Sequence, residues 1–87
     1  MFVNGTIIDG VFDTTVNEFT LQRVKNFDTQ SVLNETQINN IYQYLHLHRD
    51  NEDGQIITLY DQLPIRLSKE ESSQLIGDIE KVMSMYH

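Results

Sequence analysis

The stretch from Leu33 to His48, LNETQINNIYQYLHLH, constrains the fold of this chain more than any other, because several independent helix signals coincide on it. Asn34 suits an N-cap, and Gln37 stands three positions on, where its amide reaches back to the cap's own N–H in a capping box. Leu33 and Ile38 flank the cap at the spacing of a hydrophobic staple. Beyond it, Ile38, Ile41, Tyr42 and Leu45 recur at helical spacing and make one apolar face, with Asn39, Asn40 and Gln43 on the other side. That face must be buried. Tyr44 and Leu47 fall off the stripe, at its flank or on a second contact surface, and the helix is expected to stop near His48.

A second helix is marked by Ser68 and Glu71, another capping box, with Glu70 and Glu71 in the first turn where the helix dipole favours negative charge. Leu75, Ile79, Val82 and Tyr86 form its stripe, widened by Ile76 and Met83, and Asp78, Glu80 and Lys81 are expected to face water. Gly77 inside it costs about 1 kcal/mol relative to Ala and suits close approach of a neighbour.

The remaining segments read as β. From Met1 to Val24 the chain is rich in strand formers, broken by Asn4-Gly5 and Asp9-Gly10, which favour tight turns. Thr6 to Phe12 is expected to be a strand region with a turn or bulge at Asp9-Gly10, and Asn4-Gly5 a kink near the terminus. Residues 15–27 are ambiguous: Thr15 with Glu18 imitates a capping box, but the alternation of Phe19, Leu21 and Arg23 with Thr20, Gln22 and Val24 favours strand. Asp28 to Ser31 reads as a polar connection into the first helix. After the loop Asp50 to Gly54, Gln55 to Tyr60 and Leu63 to Leu67 read as a hairpin whose Pro64 cannot donate to a ladder. The expected fold is α+β, one domain over residues 1–87, with a small antiparallel sheet of N-terminal strands and a C-terminal hairpin packed against two helices.

Composition limits the function. There is no Cys, so thiolate metal sites, disulfides and a cysteine nucleophile are excluded. No apolar run approaches the roughly 20 residues that span a bilayer, and the N-terminus lacks a basic region followed by an apolar one, so the chain is expected to be cytoplasmic. Thirteen Asp and Glu against six Lys and Arg give a net charge of -7, which disfavours nucleic acid and anionic membranes as partners.

No catalytic or metal motif emerges. With Gly54 at the sixth position of an EF-hand loop, Arg49 and Tyr60 would stand where acidic ligands are needed. His46 and His48 are two apart, and on a helix they diverge by about 200 degrees, too far to share a metal. Their expected role is to act as cations near a helix C-terminus. Ser31, Ser68, Ser72, Ser73 and Ser84 lie in no nucleophile frame, and the carboxylates nominate no acid–base pair. The chain therefore reads as no enzyme, without cofactor or metal.

The expected function is non-catalytic protein binding, as a small acidic regulator or inhibitor of phage or mobile-element type. Its partner would be another protein or a second copy of itself. The expected contact surface is on the last helix: Glu70, Glu71, Asp78 and Glu80 as the charged part, Met83 and Tyr86 as the apolar part. A homodimeric assembly protein and a nucleic-acid-mimicking inhibitor are the alternatives.

Overall fold

A computed structural model describes residues 1–59 and 64–87, and has the expected α+β architecture. Strands β1 (Phe2–Asn4), β2 (Ile8–Asp13), β3 (Glu18–Val24) and β4 (Phe27–Leu33) form an antiparallel meander in that order, followed by helix α1 (Glu35–Leu47). Strands β5 (Gln55–Thr58) and β6 (Pro64–Leu67) pair as a separate two-stranded sheet, and helix α2 (Lys69–Met83) closes the chain. The strands thus make two sheets rather than one. Tyr60 to Leu63, including the end of one expected strand and the start of the next, lie outside the described residues.

Both helices start where local chemistry dictates. Asn34 Oδ1 accepts from the Gln37 amide at 2.8 Å while the Asn34 amide donates to Gln37 Oε1 at 2.9 Å. Ser68 and Glu71 repeat the reciprocal pair at 3.1 and 2.8 Å. Each cap gives side-chain acceptors to two backbone N–H donors that the first turn would otherwise leave open.

The meander sorts its side chains by register. Val3, Gly10, Leu21 and Ser31 make one cross-strand row on the inner face, and Phe12, Phe19 and Leu33 another. All are buried. The outer face carries Asn4, Asp9, Arg23 and Asp28 in one row, and Phe2, Val11, Thr20 and Val32 in the next. Within residues 15–27, Glu18–Val24 resolves as strand with Phe19 and Leu21 inward; a register shift between Leu21 and Arg23 then breaks the expected alternation and turns Val24 inward and Arg23 outward. The expected irregularity at Asp9-Gly10 is a register shift, while Asn4-Gly5 opens a complete hairpin closed by the Gly5 amide on the Ile8 carbonyl at 2.7 Å.

Asp28 to Ser31 is not a connection. It is the middle of β4, entered through a tight turn in which Lys25 takes φ 56°. Its polarity follows from its place at the sheet edge, where Ser31 and Leu33 are its inward-facing buried residues. One apolar core joins both sheets and both helices, with Phe19, Leu45, Leu67 and Val82 at 0% exposure marking its centre.

Candidate functional site

Several of the residues expected to form a contact surface on the last helix are engaged within the chain. Asp78 does not face water: it is 3% exposed, and its carboxylate accepts three successive backbone amides of the β1–β2 turn. Oδ1 takes Thr6 at 3.0 Å, and Oδ2 takes Ile7 at 2.6 Å and Ile8 at 3.2 Å. Convergent amides of this kind form a nest for a negative group, and here the group is the protein's own. Gly5 lets it approach, since a Cβ there would stand 2.5 Å from the carboxylate carbon.

Glu71 is held by its cap and by Lys25, whose Nζ lies 3.1 Å from Oε2. The Ser68 amide first, and Lys25 after it, keep the Glu71 carboxyl below the usual range. Glu80 accepts from the Tyr42 hydroxyl at 2.8 Å, Met83 packs partly buried on the core, and Glu70 stays exposed. These acids form no continuous negative track, because one is buried and two are engaged by neighbours.

Tyr86 is buried as well, edge-on to Phe12 with ring centroids 4.9 Å apart, and its hydroxyl donates to the Leu33 carbonyl at 2.7 Å. Burial pushes its ionisation up from 10.0 to about 12. A pKa raised in the folded state stabilises fully below the unfolded value, and that contribution is lost as pH rises from 10 towards 12. The loss amounts to about 3 kcal/mol over those two units. Denaturant titrations across this range are expected to show the stability gap between the parent and Tyr86→Phe closing as pH rises. A constant gap would mean that the hydroxyl titrates freely.

Between the helices runs a chain of side chains that ends at Glu80. Arg49 Nη1 lies 2.9 Å from His46 Nδ1, His46 Nε2 lies 2.8 Å from the Tyr42 hydroxyl, and that hydroxyl donates to Glu80. Arg can only donate, so Nδ1 must accept and the proton sits on Nε2. His46 thus bridges Arg49 and Tyr42 in the last turn of α1. His48 instead lies against the Tyr44 ring, with centroids 4.6 Å apart. Among the described residues, no three His, Asp or Glu side chains converge as a metal site.

The accessible concave surface lies elsewhere, along β5. Ile56 pairs with Arg66, and three observations show that this is a widely spaced, non-hydrogen-bonded pair. The Arg66 carbonyl points away from β5 to receive Lys25 Nζ at 3.0 Å, and the Ile56 carbonyl points away from β6 to receive the Tyr44 hydroxyl at 3.2 Å. Pro64, which has no N–H, occupies the equivalent position opposite Thr58. Since the N–H and C=O of one strand residue point the same way, Ile56 and Thr58 present theirs towards α1. Among the described residues, no strand pairs with that edge of β5.

Two clefts line that edge. One, of about 310 Å³, is bounded by Asn40, Ile41 and Tyr44 of α1 and by Ile56 to Leu59. The other, of about 390 Å³, reaches from Tyr44 and His48 to Asp53, Gln55 and Arg66. Tyr44 and Ile56 belong to both, and their hydrogen bond is the partition between them. Both side chains are exposed, at 44% and 49%, over a floor that includes buried Ile57 and Leu59. Gln55, 8% exposed, turns its side chain inward: Nε2 donates to the Leu45 carbonyl at 3.4 Å, and the buried Oε1 has no hydrogen-bond partner among the described residues. Tyr44 had already stood out in the sequence as lying off the helix stripe. The open edge had no local signal, because it depends on β5 and β6 forming a sheet of their own.

Comparison with known protein families, with curated proteins and with solved structures returns no match.

Proposed function

We propose that this chain is a non-catalytic protein-binding module that receives its partner in the groove along β5. What supports the reading is the combination at one place of an open main-chain edge, exposed Tyr44 and Ile56, and a buried apolar floor. An unpaired strand edge is a template for another chain, and a two-stranded sheet gains most from a third strand. Aromatic and aliphatic side chains around a concave floor are the residues that anchor an interface. The net charge of -7 draws basic partners and repels phosphate backbones, as fits a small acidic regulator or inhibitor that acts by occupying another protein.

A second reading is self-association through the outer face of the meander, favoured by the row Phe2, Val11, Thr20 and Val32, in which Phe2 is 77% exposed and Val32 51%. Panning a display library of linear peptides against the whole chain separates the two. Peptides are expected to be enriched whose affinity falls at least tenfold with Ile56→Glu and is unchanged with Val32→Glu. An enrichment indifferent to Ile56→Glu would overturn the groove. A light-scattering mass of twice 10.2 kDa that Val32→Glu halves would place the contact on the meander.

A further inference from the structure

We infer that the occupant of the groove is an extended peptide segment that adds a third strand to the β5–β6 sheet, and that Tyr44 is the placeholder it displaces. The inference rests on the protein-binding reading and specifies what is bound. Ile56 and Thr58 are two residues apart on one strand, so their outward N–H and C=O groups repeat at the spacing of a β ladder. A helical or compact partner would leave most of these groups unpaired, and an extended main chain pairs them all.

Tyr44 meets one of them already. Its hydroxyl donates to the Ile56 carbonyl at 3.2 Å, at the long end of the hydrogen-bond range, from a side chain that is 44% exposed. A peptide amide can take over that acceptor at little cost. Once Tyr44 swings away, the partition between the two clefts is gone, and they become one groove along the whole of β5.

The walls choose the segment. Ile41 and Leu59 on one side of the partition call for an apolar side chain, and alternate residues of a strand reach the same side. Beyond the partition the second cleft is lined by His48, Asn51, Asp53 and Arg66, which suit a polar side chain further along the strand. Asp53 and Arg66 offset one another at that end, and the overall charge of -7 favours a basic side chain there. The occupant is therefore a segment alternating apolar and outward residues, with a basic side chain at one end.

Synthetic copies of the panned peptides test this directly. Hydrogen exchange followed by NMR is expected to slow at least tenfold at the Ile56 and Thr58 amides when peptide saturates the protein. N-methylation of the peptide backbone should weaken binding at least tenfold at alternate positions and leave the intervening ones unaffected. Tyr44→Phe, which removes the competing hydroxyl and keeps the ring, should tighten binding several-fold. Peptides that need Ile56 but tolerate N-methylation everywhere, with exchange at Ile56 and Thr58 unchanged, would overturn the added strand and leave the protein-binding reading intact. Failure to enrich any peptide sensitive to Ile56→Glu would overturn both.

Discussion

Replacing Asp78 with Ala is expected to lower the free energy of unfolding by roughly 4 kcal/mol, a large share of what a domain of this size possesses. The carboxylate accepts the amides of Thr6, Ile7 and Ile8, and the last two of these bonds are buried. Removing the acceptor leaves those amides without a partner where water does not reach, at about 1–3 kcal/mol each. Asp78→Asn keeps one acceptor oxygen and turns a donor towards the remaining amides, so its cost should fall between that of Ala and none. Gly5→Ala attacks the same contact from the turn, because the added carbon would meet the carboxylate at 2.5 Å. Urea titrations of the three variants check the ranking. An Asp78→Ala protein within 1 kcal/mol of the parent would mean that the β1–β2 turn holds itself.

Asp78 also shows what was legible in the sequence and what was not. It lies three residues after Leu75 and four before Val82, so helical spacing alone puts it on the apolar stripe. The carboxylate pointed to water, and the spacing pointed to the core. Spacing won because the N-terminal hairpin supplies amides that only the tertiary structure brings near. The helix starts were legible for the opposite reason: Asn34 with Gln37, and Ser68 with Glu71, satisfy groups within their own first turns.

Strand β4 was hidden by two local features. The turn before it has Lys25 at positive φ in place of a glycine, and its middle residues are polar because the strand lies at an edge. The groove was half legible. Tyr44 was already displaced from the stripe of α1, but the open edge of β5 follows from the hairpin standing apart from the meander, which no pattern within residues 55–67 encodes. Of the residues expected to meet a partner, Asp78 on α2 and Tyr86 just beyond its end are buried in this chain's own core.

On α1, Leu45→Ala and Ile41→Ala are expected to differ sharply, although the sequence places both residues on one stripe. Leu45 has 0% exposure, and its truncation should cost about 2–5 kcal/mol, the transfer of the lost methyl groups plus the cavity left behind. Its carbonyl receives Gln55 Nε2 at 3.4 Å, so a collapse of the helix into that cavity would also disturb the start of β5. Ile41 is partly buried against the core and forms a wall of the groove, open to solvent on one side. Water can fill the space its side chain vacates, which removes most of the cavity cost and leaves about 1–2 kcal/mol for the partial loss of burial. Midpoints of urea unfolding at unchanged slope measure the two values on one scale. Equal losses would mean that Ile41 is as deeply enclosed as Leu45, which requires α1 to be rotated towards β5 and the groove between them to be closed.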